Sequence, residues 1–190
     1  MRLPKATEMA HYLVGERLKK RHAAVDATAG NGHDTLFLAR AVGGGGKVFA
    51  IDVQSDALGQ TAGRLREAEV KKQVELIEGS HVDLPSLIPT ELHGEVSVVM
   101  FNLGYLPGGD KSLTTKWDTT LPALRAGLQI LRAGGLMTVV CYPGHAAGAE
   151  EANAVSRWVQ TLDQVEVRVA RYAFENTTSA PPLLFALERL

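Results

Sequence analysis

Five short stretches hold the side chains fit for chemistry. The first is Val25-Asp26-Ala27-Thr28-Ala29-Gly30-Asn31-Gly32-His33-Asp34-Thr35. Its glycines sit where a strand gives way to a helix, and there they let the backbone approach a ligand with no Cβ in the way. The pattern Gly30-x-Gly32-x-x-Thr35 lacks the third glycine of the dinucleotide fingerprint. It suits a nucleoside that brings no pyrophosphate to the helix N-terminus. Asp26, Gly30, Asn31, Gly32 and Asp34 are the candidate contacts. The plainer alternative is a tight turn without a ligand. The second stretch is Asp52, which closes the strand Val48-Phe49-Ala50-Ile51, 52 − 32 = 20 residues after Gly32. A carboxylate at that strand tip accepts both ribose hydroxyls and repels a 2′-phosphate; its ordinary alternative is a helix N-cap. Gln54 stands on the same lip and can pair with a ribose or an adenosine edge.

The third stretch, Gly79-Ser80-His81, follows the next strand. Ligands in open α/β sheets lie outside the carboxyl ends of the strands, so Ser80 and His81 can reach an adenine. A surface loop histidine is the competing reading. No metal is expected at His81, because no second histidine stands at ligand spacing. The fourth stretch runs Phe101-Asn102-Leu103-Gly104-Tyr105-Leu106-Pro107-Gly108-Gly109-Asp110. Asn102 has an acceptor and a donor and can orient an amine nucleophile. Tyr105 offers a ring face to a base and a hydroxyl to a hydrogen bond. The fifth is Cys141-Tyr142-Pro143-Gly144-His145. His145 is the best-placed general base, since imidazole titrates near neutrality. Cys141 reads as a small buried hydrophobe. The chain has no G-x-S-x-G elbow and no G-x-x-x-x-G-K-[ST] loop, which argues against hydrolase and P-loop chemistry.

These stretches need a scaffold that brings strand ends together, and the apolar periodicity supplies one. Helices are predicted over Thr7–Lys20, His33–Val42, Asp56–Glu69, Thr119–Leu131 and Ala149–Leu162, with a short one near Pro85–Ile88. Strands are predicted over Ala23–Asp26, Lys47–Val53, Val74–Ile77, Glu95–Asn102, Leu136–Tyr142, Val165–Ala170 and Leu183–Leu187. Gly43 to Gly46 mark a loop, and Gly134-Gly135 is read as the stop of a helix. Alternating strand and helix imply an α/β fold, a mostly parallel sheet with helices on both faces. The near-continuous apolar run EVSVVMFN fits a strand buried on both sides. The last two strands are joined by a short polar link, so they imply an antiparallel edge.

Length and composition agree. A chain of 190 residues is about one domain, with an N-terminal helix inside residues 1–21. Hydrophobic content of 45% with 22% charged residues excludes wholesale disorder. One cysteine rules out a disulfide framework and a cysteine-built zinc site. The N-terminus has no signal-peptide pattern and no apolar run is long enough to span a bilayer, so a cytoplasmic protein without membrane contact is expected. The net charge of −1 means that any nucleic-acid surface must be a local patch. Candidates are Lys19-Lys20-Arg21 and Lys111 with Lys116; Lys71-Lys72 reads as solvated surface.

DATAGNGHDT, FAIDVQ, GSH, NLGYLPGGDK and YPGH, in this order, resemble a bacterial family of small class I S-adenosylmethionine-dependent methyltransferases. That family was long labelled rRNA methylase and is now linked to the tRNA 5-aminomethyl-2-thiouridine methyltransferase of the wobble position. The resemblance runs from Thr7 to Pro181-Pro182, and NLGYLPGGD and YPGH are its specific blocks. It implies a Rossmann-like seven-stranded sheet with an antiparallel last strand. It implies that Asn31, Asp52, Gln54, Ser80 and His81 line a site for S-adenosylmethionine, leaving S-adenosylhomocysteine as product. Asn102-Leu103-Gly104-Tyr105 is similar to the Asn-Pro-Pro-Tyr motif of amino-group methyltransferases, with Leu103 and Gly104 in place of the prolines. The implied reaction is methyl transfer to the aminomethyl nitrogen of a modified wobble uridine in the tRNA anticodon stem-loop. Asn102 and Tyr105 would position the nucleophile, and His145 or Asp110 would take its proton. A homodimer fits the family. Two rivals stand beside this reading: a methyltransferase for rRNA or a small amine, and a nicotinamide-binding oxidoreductase that shares the sheet and Asp52.

Overall fold

The computed structural model describes residues 2–104 and 115–190. Seven strands form one sheet: β1 (Ala23–Asp26), β2 (Lys47–Asp52), β3 (Val74–Glu78), β4 (Val96–Asn102), β5 (Leu131–Cys141), β6 (Val167–Tyr172) and β7 (Leu183–Arg189). Their order is β3-β2-β1-β4-β5-β7-β6. The first five are parallel, and β7 is antiparallel to both β5 and β6. The helices are α1 (Ala6–Arg17), α2 (His33–Val42), α3 (Ser55–Glu67), the one-turn α4 (Leu84–Leu87), α5 (Trp117–Ile130) and α6 (Ala146–Val159).

Alternation along each strand explains the two covered faces. Val25, Phe49, Ile51, Val99 and Phe101 point to one side, where they pack with Leu84, Leu124 and Trp158 of α4, α5 and α6. Ala24, Val48, Ala50, Val98 and Met100 point to the other, against Ala10 and Val14 of α1, Leu38 of α2 and Leu65 of α3. Each fully buried large side chain contributes roughly 1.5–3 kcal/mol. A strand with both faces covered must be apolar throughout, which is why EVSVVMFN shows no alternation.

The final pair forms the antiparallel edge as predicted: β7 lies between β5 and β6, antiparallel to both, and β6 is outermost. The exposed pattern of β6 and the buried centre of β7 follow from those places. One expectation needs correcting: Gly134-Gly135 does not stop a helix. It lies inside β5, which begins at Leu131 directly after α5. There the pairing with β4 jumps from Val96↔Leu131 to Val98↔Leu136. Gly134 takes φ +70°, and a Cβ on Gly135 would stand 2.8 Å from the Arg132 carbonyl, so the bulge needs residues without side chains.

The order reverses at β1: the chain first builds outward through β2 and β3, then returns to place β4 on the opposite side. That is the switch point where open α/β sheets leave a crevice. Asp26, Asp52, Glu78, Asn102 and Cys141 end the five parallel strands on that side.

Candidate active site

A cavity of about 870 Å³ opens at these strand ends, within the range of small-molecule sites. Its floor is the turn between β1 and α2. Gly30 and Gly32 adopt φ +49° and +78°. A Cβ on Gly32 would come within 2.6 Å of Thr61 Oγ1, so only glycine fits both the conformation and the packing. Thr61 Oγ1 donates to the Gly30 carbonyl at 2.8 Å, and Arg64 Nε donates to the Asn31 carbonyl at 2.8 Å. α3 therefore braces the turn from outside.

Asp52 is held by the same turn. Its Oδ2 accepts from Gly30 N–H at 2.8 Å and its Oδ1 from Gln54 N–H at 2.9 Å. An ionised carboxylate has about four acceptor positions, so two bonds orient it and leave capacity for a diol. Asp52, Val53, Gln54, Ser80 and His81 all face the cavity. Ser80 Oγ accepts from Val82 N–H at 3.3 Å and caps the short turn that carries His81. Burial holds His81 below the ordinary histidine range, while Asp52 and the Ala27 carbonyl pull the other way.

The opposite wall comes from β4 and β5. Asn102 donates its backbone N–H to Thr28 Oγ1 at 2.7 Å, and its Nδ2 donates to Asp34 Oδ2 at 3.3 Å. Asp34 also accepts from His11 Nε2 at 2.5 Å. Tyr142 lines this wall; burial first, then the charge of Asp34, pushes its phenol up, against a hydrogen bond from Asn102. His145 reaches the cavity as the N-cap of α6, with Nδ1 accepting from Gly148 N–H at 3.1 Å. Proton uptake at that nitrogen requires opening the cap. Thr115 Oγ1 accepts from Gly104 N–H at 2.8 Å and donates to buried Glu151 at 2.8 Å. Thr120 Oγ1 donates to the same carboxyl at 2.6 Å. Burial raises Glu151, and the two threonine bonds counter it.

The structure thus gathers Gly30, Asn31, Asp34, Asp52, Gln54, Ser80, His81, Asn102 and His145 around one cavity. Asp26 and Gly32 lie beneath it instead. Asp26 is fully buried, accepting from Thr35 Oγ1 at 2.5 Å and Thr28 N–H at 3.2 Å. Burial foremost, with Asp34 adding to it, pushes its carboxyl up to about 7. Tyr105, Asp110 and Lys111 lie outside the described residues. Lys116 lines the cavity, while Lys71 turns back to the Val74 carbonyl at 3.1 Å. Cys141 is buried and its thiol is pushed up by burial, as befits a packing residue. Sequence reasoning missed His11, Thr28, Thr115, Tyr142 and Glu151. Thr28 and Tyr142 stood inside quoted blocks; His11, Thr115 and Glu151 carry no motif, because their partners are remote in the chain.

Three polar atoms in this cavity are left over by the fold. Asn31 Oδ1, His81 Nε2 and Asn102 Oδ1 are buried polar atoms with no hydrogen-bond partner among the described residues. Each such atom costs roughly 1–3 kcal/mol, and all three belong to residues that line the same space. The described residues contain no group of three or more His, Cys, Asp or Glu able to hold a metal. Residues 48–188 match the family model described as "Putative rRNA methylase". The chain belongs to this family. The "tRNA (mnm(5)s(2)U34)-methyltransferase, chloroplastic" of Arabidopsis thaliana is 39% identical over 193 residues, 97% of this chain and 70% of that protein. A solved structure described as a "putative rRNA-methylase" from Clostridium thermocellum matches with a TM-score of 0.96 at 36% identity, over 100% of both chains. A "putative methyltransferase" from Streptococcus mutans, solved in complex with SAH, gives 0.88 at 33% identity, again over 100% of both. The family model begins after the glycine turn, whereas these two structures match across it.

Proposed function

We propose that this methyltransferase moves the methyl group of S-adenosylmethionine to the aminomethyl nitrogen of the modified wobble uridine of tRNA. The observation that carries the reading is the set of buried polar atoms on Asn31, His81 and Asn102 that have no partner among the described residues, in a cavity that also presents the oriented Asp52 carboxylate. That set of acceptor atoms fits the hydroxyl and amino groups of an adenosine with an amino-acid tail. The Arabidopsis relative supports the tRNA substrate. When bound, S-adenosylmethionine supplies a methyl group on a cationic sulfur that leaves readily.

The protein's part is alignment and exclusion of water. Asp52 takes the ribose hydroxyls; Gln54, Ser80 and His81 take the base; Gly30, Asn31 and the turn take the tail. His81, held below the ordinary range, stays neutral near pH 7 and repels no cationic ligand. Asn102 Oδ1 accepts an N–H of the substrate amine and turns its lone pair toward the methyl carbon. An alkylamine is mostly protonated at neutral pH, by analogy with lysine at ~10.4, and must first lose a proton. Of the two groups expected to take it, His145 has Nδ1 committed to Gly148, which favours Asp110. Tyr105 stacks on the base, and Lys116 with Lys111 meets phosphates. A homodimer and a cytoplasmic location complete the proposal; no described helix is long and apolar enough to cross a membrane.

Purified protein, S-adenosylmethionine and tRNA bearing the unmethylated aminomethyl nucleoside provide the test, read by nucleoside mass spectrometry. The wobble nucleoside should become one methyl heavier. A second reading, methylation of rRNA, follows from the family description; methyl incorporation into rRNA with none into tRNA would replace the proposal by it. Binding of NAD without binding of S-adenosylhomocysteine in calorimetry would replace both.

A further inference from the structure

Helix α1 sends one side chain into the site. His11 stacks on Phe37 with ring centroids 4.1 Å apart and planes within 2°, and its Nε2 lies 2.5 Å from Asp34 Oδ1. A carboxylate only accepts, so Nε2 is the donor. The second Asp34 oxygen accepts from Asn102 Nδ2 at 3.3 Å. The three side chains therefore form a line from α1 across α2 to the end of β4. Its ends are fixed independently: the His11 ring by Phe37, and the Asn102 main chain by Thr28 Oγ1 at 2.7 Å. Helix α1 is itself anchored, through Arg17 to Glu188 at 2.6 Å and through the Pro4 carbonyl, which accepts from the Tyr172 hydroxyl at 2.7 Å.

This line, together with the hydrogen bond from Asn102 to Tyr142, sets which way the Asn102 amide points. Turned over, the amide would set its carbonyl oxygen against the Asp34 carboxylate, acceptor against acceptor. In the observed orientation Nδ2 meets Asp34, and Oδ1 remains buried without a partner among the described residues. We propose that His11 and Asp34 are positioning residues for methyl transfer, holding the Asn102 amide with its oxygen turned to the nucleophile. The inference rests on the proposed amine methylation. His11 fixes the Asp34 carboxylate, the carboxylate fixes the amide, and the amide oxygen receives the amine. Neither His11 nor Asp34 falls in the segment matched by the family model, residues 48–188.

The test compares His11→Ala, His11→Gln and the surface control Lys72→Ala. The first readout is independent of turnover: the Asn102 side-chain amide resonances of the ligand-free protein, assigned by their loss in Asn102→Asp. They should shift in His11→Ala, return toward wild type in His11→Gln, which keeps an N–H donor, and stay in place in Lys72→Ala. The second readout is kinetic. With undermodified tRNA, kcat should fall about tenfold in His11→Ala, the size of one charged hydrogen bond lost from alignment. Affinity for S-adenosylhomocysteine should stay within about twofold, because the inferred role is orientation, not cofactor binding. Amide resonances that do not move in His11→Ala overturn the inference. So does a parallel fall of kcat and S-adenosylhomocysteine affinity that glutamine fails to rescue. Should His11→Ala not fold, Asp34→Asn, which sets amide against amide, carries the same two readouts. A wild-type protein that binds S-adenosylhomocysteine but methylates no tRNA defeats the proposed function alone; the resonances still decide the inference.

Discussion

Replacing Asp26 with asparagine should change how stability depends on pH. The carboxyl is fully buried at the end of β1 and held by Thr35 and Thr28. Burial, then the charge of Asp34, moves it from 3.8 to about 7. The folded state therefore binds the proton more tightly than the unfolded chain. Between those two values the native protein carries one more proton, so unfolding free energy falls as pH rises, by up to about 1.4 kcal/mol per unit. The benefit is complete below about pH 4 and lost above about pH 7. A displacement of 7 − 3.8 = 3.2 units corresponds to about 4 kcal/mol in all, a large share of a typical 5–15 kcal/mol. Asparagine is nearly isosteric and does not titrate. Its oxygen can accept from Thr28, and its amide can donate to the Thr35 hydroxyl. Urea denaturation of both proteins at several pH values gives the difference in stability, variant minus wild type. That difference should rise by about 1.4 kcal/mol per pH unit through the acid range and level off above neutrality. Parallel stability curves from about pH 5 to pH 8 would refute the reasoning, for they would mean that the buried carboxyl ionises as it does in water.

Three further outcomes follow from the site. Asp52→Ala removes the oriented carboxylate and its two backbone bonds; calorimetry should show S-adenosylhomocysteine affinity falling by at least about tenfold, and unchanged affinity would remove Asp52 from ribose recognition. Asn102→Ala should lower kcat on tRNA by about tenfold to a hundredfold, whereas His145→Ala should act mainly through the lost α6 cap, reading as a melting shift from about 1 kcal/mol of stability; a larger kinetic loss in His145→Ala than in Asn102→Ala would reverse those roles. Lys116→Ala should weaken tRNA binding and reduce its salt slope by about one unit; an unaltered slope would take Lys116 off the phosphate path.

Much of the architecture could be read from the chain because it depends on local periodicity. The strands from β1 to β4 and the helix α2 stand where their apolar runs put them, since an element buried on both faces, or on one helical stripe, leaves that mark in neighbouring residues. The glycine turn and Asp52 were legible because a positive φ and a strand-tip carboxylate demand particular residue types. The long β5 was not: Gly134-Gly135 signals a break by composition alone, and only pairing with β4 turns that break into a bulge within a strand. The insertion of β7 between β5 and β6 was likewise invisible, because strand order is set by contacts between distant segments.

The same division runs through the site. By itself the sequence determined which strand ends would carry the polar groups, because each motif is a few adjacent residues at an element boundary. Only the tertiary structure decided that Asp26 lies under the cavity and Asp34 in its wall, although both belong to one motif. It alone brought His11 from the first helix to Asp34, 23 positions on, and Asn102 a further 68 away. It alone tied Thr115 to Glu151 beside the same wall. Hydrogen bonds between remote segments impose no spacing on the chain; they form when packing of the two apolar faces has fixed where the helices stand.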